Sequence, residues 1–376
     1  MARSPHNPHF THEPRINMKK HAKAWAIGIG KYGIGIGLLA YVIGSNWKAK
    51  GGNPGIQGLL QQTPDLPLFG LLAVIAVAAT SIQFLRWYLL VRALDLPFSV
   101  ASAFRLGLIG VCYNVFLPGS VGGDLVKAYY IARDTPGKRA SAVATVIADR
   151  LVGLFGLIWF SAVFGGGFWL AGDSRIVGNP WLEKIILVCS VLVVLTVLFW
   201  VALGFLPHHR QERFAGRLIH VPKIGRTLAE IWFVLCTYRQ RSKTIYLTIA
   251  MTAVVHVGFV FMFHLAVRVF ATIGPASLPE HFVVAPIGYI AQAFFPAPGG
   301  VGGGEFIFGY LYSLLGRPEA TGVIGRLTIR VVEWSIGLVG LYLWLRMRRE
   351  LPDVEHAAEE EGYGGHEEAT PGKSNP

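Results

Sequence analysis

Charge is what this sequence has least of. Only 15% of its 376 residues are Asp, Glu, Lys or Arg, where an ordinary soluble domain carries about a quarter. A solvated surface is hard to build from so few, and with 53% hydrophobic residues and a mean hydropathy of +0.47 the chain reads as a membrane protein. Cysteine is nearly absent as well. Cys112, Cys189 and Cys236 lie in or beside apolar segments at spacings that suit neither a metal site nor a disulfide framework, so they are expected to pack. Metal ligation is not expected elsewhere: His256 and His264 stand eight apart with no third ligand at metal-like spacing. No cofactor motif is present, so none is expected.

What the sequence has in abundance is apolar length. Runs of about 20 residues, enough to cross a hydrocarbon layer roughly 30 Å thick, predict full spans at 24–45, 67–90, 141–170, 183–206, 244–270 and 319–345. The basic "MKKHAK" before the first run resembles the start of a signal peptide. The run is too long for one and no small-residue cleavage pattern follows, so it is read as an anchor.

The formal charge of +12 is unevenly spread. Residues 353–376 hold seven acids against Lys373, a net of −6 that leaves +18 for the rest. Such a polar tail cannot bury a core and is expected to be disordered. The cations gather at the ends of apolar runs, which the positive-inside rule explains better than nucleic-acid binding. The loop 207–243 has eight Lys or Arg and two acids, and Arg15, Lys19, Lys20 and Lys23 and then Arg346, Arg348 and Arg349 mark the two ends. Six spans put all three on one side, the cytoplasm. Part of 210–240 is expected either to lie on the membrane as an amphipathic helix or to form a solvated helical loop. The expected organisation is a cytoplasmic segment 1–23, a polytopic domain 24–346 and an acidic tail 347–376.

Two apolar pieces fall outside this count, about 98–133 and 282–316. Each has an apolar arm, a Gly/Pro break and a second arm too short to span, the pattern of a re-entrant hairpin. Their breaks match. Shifting "FLPGSVGGDL" (Phe116 to Leu125) by 180 residues lays Pro118, Gly119, Val121, Gly122 and Gly123 on Pro298, Gly299, Val301, Gly302 and Gly303 of "FPAPGGVGGGEF". The same shift pairs Tyr130 with Tyr310, Ala140 with Ala320, Val143 with Val323 and Arg150 with Arg330. Asp124 and Glu305 miss register by one residue, yet both follow the glycines where a helix begins.

Three spans separate the hairpins. An odd number brings the second in from the opposite face, so the expected fold is an all-α integral membrane protein: about six full spans plus two Gly/Pro-rich hairpins in an inverted repeat, its halves centred on 98–170 and 282–345. Inverted repeats with broken helices are common in secondary transporters. Glycine suits such a break because it admits positive φ and close backbone approach.

Ionisable groups at membrane depth cost at least about 2.5–3.5 kcal/mol each and mark pathways or pairs. They cluster after the hairpins: Asp149 and Arg150 in "IADRLVG", and Arg326, Arg330 and Glu333 in "GRLTIRVVEW", the last three on one helix face. Arg150, Arg326 and Arg330 suit a lipid phosphate, which arginine holds bidentately, and the acids Asp124, Asp149, Glu305 and Glu333 balance them or meet a cationic headgroup. The same groups also suit an ion-pair ladder stapling helices, and Asp124 or Glu305 alone suits a helix cap. Arg86, Arg92, Arg268 and Arg346 sit near span ends and are expected to snorkel. Neither Gly-rich motif ends in Lys-Ser/Thr or follows a strand, which excludes a nucleotide-binding P-loop.

"NVFLPGSVGGDLVKAY", "ASAVATVIADRLVGL" and "FPAPGGVGGGEFIFGYLYSLLG" followed by "ATGVIGRLTIRVVEW" resemble the lysylphosphatidylglycerol synthase transmembrane-region family of flippase-like membrane proteins, over about 20–345. The resemblance implies an inner-membrane protein that moves, or helps to distribute, a polar lipid. The bifunctional synthases carry a soluble aminoacyl-transferase domain after the membrane part. Here an acidic tail stands in that place, so synthase activity is not expected. The first motif has Ser120 where Gly is more typical.

The expected function is therefore a lipid flippase or transporter for a phosphate-bearing lipid. No ATP-binding motif is present, so its drive is a gradient, or it scrambles passively. An integral-membrane enzyme acting on a lipid phosphate is the alternative, but no nucleophile elbow or metal set lies beside the hairpins. A scaffold for envelope lipid machinery is a third. Expected partners are membrane lipids, with a second copy of the chain or envelope lipid-synthesis proteins as further candidates.

Overall fold

The computed structural model describes residues 18–49, 55–116, 122–173, 176–222, 225–270 and 274–347, with side chains from residue 30 onward. Pro118 and Gly119 of the first break, residues 1–17 and the acidic tail lie outside the described residues. Among the described residues every regular element is a helix. They are α1 (Met18–Ser45), α2 (Ile56–Leu60), α3 (Leu66–Arg92), α4 (Val100–Phe116), α5 (Gly122–Arg133), α6 (Arg139–Leu170), α7 (Pro180–Gly204), α8 (His208–Ile219), α9 (Gly225–Gln240), α10 (Ser242–Ala266), α11 (Leu278–Ala293), α12 (Gly303–Leu314) and α13 (Glu319–Met347).

Five of these, α3, α6, α7, α10 and α13, are long and apolar enough to cross a membrane. The expected span at 24–45 falls inside the 28-residue α1. Local sequence starts several of them. Asp65 Oδ1 accepts from Leu68 N at 3.0 Å ahead of Pro67 in α3, and Asn179 Oδ1 accepts from Leu182 N at 3.3 Å ahead of Pro180 in α7. Each satisfies an N–H that the helix itself leaves unpaired. α11 opens on a capping box, Glu280 N donating to Ser277 Oγ (3.4 Å) and Ser277 N to Glu280 Oε2 (2.5 Å). α6 has a π-helical turn at Ser161–Gly165.

The 180-residue offset extends beyond the motifs. α3, α4, α5 and α6 start at 66, 100, 122 and 139, and α10, α11, α12 and α13 at 242, 278, 303 and 319. Packing follows the same exchange: α3 lies on its counterpart α10, α4 lies along α13 while α11 lies along α6, and α5 and α12 pack on the helices that follow them. Helices in lipid gain little from burying apolar surface against each other, so close van der Waals contact must hold them. Small residues permit it. A Cβ on Gly340 of α13 would overlap the Leu108 carbonyl of α4, and one on Gly123 of α5 would overlap the Gly110 carbonyl of the same helix α4.

The loop 207–243 forms two helices of different exposure. α8 is mostly exposed, but α9 packs inward, with Val234, Cys236 and Tyr238 buried and Tyr238 Oη donating to Leu90 O at 3.1 Å. Phe214 of α8 meets Trp232 of α9, ring centroids 4.5 Å apart. By contrast α7 stays largely exposed along its apolar length. The three cysteines are free and buried, as packing residues should be.

Candidate functional site

Each hairpin delivers one carboxylate to the helix after it. In the first half, Asp124 in the opening turn of α5 receives two bonds from Arg150 of α6, Nε to Oδ2 at 2.5 Å and Nη2 to Oδ1 at 2.9 Å. In the second, Glu305 in the opening turn of α12 receives Arg330 Nε of α13 at 2.5 Å. Arg150 and Arg330 are the pair matched by the 180-residue shift, and the one-residue slip between the acids is absorbed by the longer glutamate side chain. The same contact is thus made twice, once in each half.

The two copies differ in exposure. Glu305 and Arg330 are sealed, at 0% and 3% side-chain exposure, whereas the Arg150 side chain is 52% exposed. Arg330 is also spent on structure: Nη1 donates to Gly299 O (3.1 Å) and Nη2 to Gly300 O (3.3 Å). Glu305 Oε2 in turn accepts from Gly302 N at 2.7 Å, so this carboxylate caps α12 and pairs its arginine at once. The cap and the ion-pair roles expected of it are both present.

Gly302 itself has φ 78°, a left-handed backbone that L side chains rarely adopt. Gly299 is left-handed too, at φ 56°. Its Cα faces Asn114 O and Val115 of α4, so the break of the second hairpin rests against the end of the first arm. Asn114 braces that arm, its Oδ1 accepting from Gly123 N at 3.0 Å. Pro298 is buried, and Gly303 packs on Phe295. α1 covers the break, with Gly35 against Ala297 and Val301 and Tyr32 Oη donating to Phe116 O.

Of the remaining candidates, Arg326 is fully buried, donating from Nη2 to Glu333 at 2.8 Å and from Nε to Gln292 Oε1 at 2.8 Å. Among the described residues its Nη1 has no partner, nor has the nearby Tyr289 Oη. Glu333 is 33% exposed. Asp149 does not join Arg150; its carboxylate is taken by Arg86 Nε at 2.8 Å. Arg86 corrects the snorkelling expectation, being 3% exposed: Nη1 donates to Thr252 Oγ1 (2.9 Å) and Nη2 to Asp149 O (3.2 Å), tying α3, α6 and α10 together. Arg92 and Arg268 donate to carbonyls of the connections that follow their helices, Leu96 O and Ala276 O. His256 and His264 are hydrogen-bonded rather than grouped, His256 to Gly153 O and His264 to His281. No three potential metal ligands gather among the described residues.

Two participants escaped the sequence. Gln292 links the clusters by accepting from Arg326 and donating to Gly299 O at 3.3 Å; its position two turns past Pro286 gave no signal. Lys127, one turn after Asp124 on α5, is buried at 9% exposure. Its i, i+3 spacing from Asp124 was the available clue.

Arg86 allows a stability test. Arg86→Met leaves Asp149 buried without its cation, and breaking one partner of a buried pair costs about 3–5 kcal/mol. Thermal unfolding of the detergent-solubilised protein is expected to fall markedly, and Arg86→Met/Asp149→Leu to recover most of the loss. A single variant as stable as wild type would show that the pair does not staple these helices.

The family model described as "Lysylphosphatidylglycerol synthase TM region" matches residues 31–340, which encloses all eight helices of the repeat except the last turns of α13. The chain is also 24% identical to a "UPF0104 membrane protein" of Methanothermobacter thermautotrophicus over 293 residues, 73% of this chain and 84% of the relative. No solved structure matches the chain. With its hairpin motifs and paired arginines inside the matched region, this multi-pass membrane protein belongs to the lysylphosphatidylglycerol synthase transmembrane-region family.

Proposed function

We propose that the protein moves a phosphate-bearing lipid across the cytoplasmic membrane, as a flippase or scramblase. One observation carries this: the acid–arginine contact repeated at equivalent positions beside two broken helices, Asp124–Arg150 half open and Glu305–Arg330 sealed. A site that two halves build alike but expose unequally is what alternating access requires. Beside Arg150, Ile147 and Leu151 on α6 and Leu125 on α5 are exposed, apolar neighbours suited to acyl chains while the guanidinium meets a headgroup.

In this proposal α1 is the sixth span and the two hairpins are re-entrant from opposite faces, with both termini and α8–α9 in the cytoplasm. Support for re-entry comes from α5 and α12, each of 12 residues, about 18 Å of helix at 1.5 Å per residue, short of the roughly 30 Å core. The chain works without its own enzymatic step, and its partners are membrane lipids and, in the cell, the proteins that make them.

Reconstitution into liposomes with fluorescent phosphatidylglycerol tests this. Wild type is expected to translocate the lipid, and Arg150→Gln, at an exposed position that should leave the thermal midpoint within a few degrees, to lose about tenfold or more of the rate. An Arg150→Ala/Arg330→Ala double variant that translocates as fast as wild type would sink the site.

A further inference from the structure

The acid–arginine clusters of the two halves differ in charge as well as in exposure. In the second half two arginines, Arg326 and Arg330, face two carboxylates, Glu305 and Glu333. In the first half Arg86 and Arg150 are matched by Asp149 and Asp124, and one cation is left over. That cation is Lys127. Its ammonium lies in the field of Asp124 and Asp149, which attract it, and of Arg86 and Arg150, which repel it. Yet it has no hydrogen-bond or ion-pair partner among the described residues. What it touches is aromatic: Nζ lies 5.1 Å from the ring centroid of Trp87 and 6.0 Å from that of Phe84.

The lysine stem is buried, but its ammonium is not among the fully enclosed polar atoms, so the tip opens onto the niche and is held from the protein side, among the described residues, by cation–π contact alone. The side chain is given a prepared place. A Cβ on Gly110 would stand 2.8 Å from Lys127 Cε, so the absence of a side chain on α4 is what lets the lysine stem lie between the hairpin arms. The niche is built for a cation that the protein itself does not satisfy.

We infer that Lys127, with Arg150, forms a binding site for a single negative charge of the phosphate class, the site at which the headgroup loads. Arg150 supplies the exposed entrance and Lys127 the inner contact. This inference rests on the lipid-transport proposal for the site's use, but its chemistry is narrower. A phosphodiester, with one charge at neutral pH, neutralises the cluster of Arg86, Arg150, Lys127, Asp124 and Asp149. Asp124 then acts as the placeholder that holds Arg150 in the empty state, and the net charge selects against headgroups that bring no net negative charge.

The test is binding rather than transport. Full-length protein in an uncharged maltoside detergent is titrated with short-chain phosphatidylglycerol, with short-chain phosphatidylcholine and with inorganic phosphate, reading the thermal midpoint and the apparent affinity. Wild type is expected to respond to phosphatidylglycerol and little to phosphatidylcholine. A response to inorganic phosphate as well assigns the free oxyanion as sufficient, and a response to the lipid alone assigns the headgroup with its chains. Lys127→Met is expected to be at least as stable as wild type without ligand, since it removes an unsatisfied charge, and to bind about tenfold or more weakly, the loss of one charge-assisted contact. Lys127→Arg is expected to retain most of the affinity. Lys127→Met binding with unchanged affinity, or wild type failing to respond to any anionic probe, overturns the inference. A wild type that binds the anion but translocates nothing overturns the transport proposal and leaves this site standing.

Discussion

Glu305→Ala is expected to be among the most damaging single substitutions in the chain, lowering stability by about 3–5 kcal/mol, the range for stranding one partner of a buried ion pair. Glu305 is completely buried and does two things at once, taking Arg330 Nε at 2.5 Å and Gly302 N at 2.7 Å. Without it, the Arg330 guanidinium keeps only the two carbonyls of Gly299 and Gly300, and α12 loses its cap as well. Glu305→Gln keeps an acceptor for Gly302 but not the charge, so its loss is expected to be intermediate. The equivalent change in the first half should look different. Asp124→Ala releases an arginine that is already half exposed, where ion pairs contribute about 1 kcal/mol or less, so stability should barely move while lipid translocation changes. Unfolding midpoints of the three variants in one detergent decide it. Equal losses for Glu305→Ala and Asp124→Ala would contradict the division into a sealed and an open half.

The second large effect is expected at Gly302. Alanine there must adopt φ 78°, which costs about 1–2 kcal/mol for an L residue. Its Cβ would also overlap the Gly35 carbonyl and stand 2.9 Å from Leu39 N, and overpacking of this kind adds about 1–3 kcal/mol. Gly299→Ala separates the two contributions. It too is left-handed, at φ 56°, but the nearest atom to a Cβ is Arg330 Nη1 at 3.5 Å, so only the backbone penalty should appear. Thermal midpoints are expected to fall more for Gly302→Ala than for Gly299→Ala. The reverse order would mean that α1 does not lie against the second break.

Much of this was legible in the sequence because apolar length and glycine position are read directly. The runs at 67–90 and 141–170 became helices at Leu66–Arg92 and Arg139–Leu170, and the matched glycines announced a repeat that the packing extends to four helices per half. The arginine matched across the repeat does make the same contact in both halves. What stayed hidden depends on neighbours distant in sequence. Arg86, counted along its own run, stands six residues from the end of α3 and reads as a snorkelling group; only Asp149 and Thr252 from two other helices make it a staple. α9 carries enough charge to pass for surface, but Trp200 and Leu90 carbonyls receive its Arg239 and Tyr238. Lys127 carried no motif in the sequence, and its burial arises from a glycine on the other arm of the hairpin.

The close fit of α4 on α13 also sets a timetable for synthesis. Gly337 packs on Val115 and Phe116, and Gly340 on Leu108 and Cys112, so the first hairpin arm waits for a helix made more than 220 residues later. At roughly 5–20 residues per second, that is a delay of about 10–45 s in which Leu108 to Phe116 lack their final neighbour. During it the arm must be sheltered by lipid, by the insertion machinery or by α3 and α5, and a pause or truncation before residue 337 would hand a finished hairpin to quality control rather than to its partner.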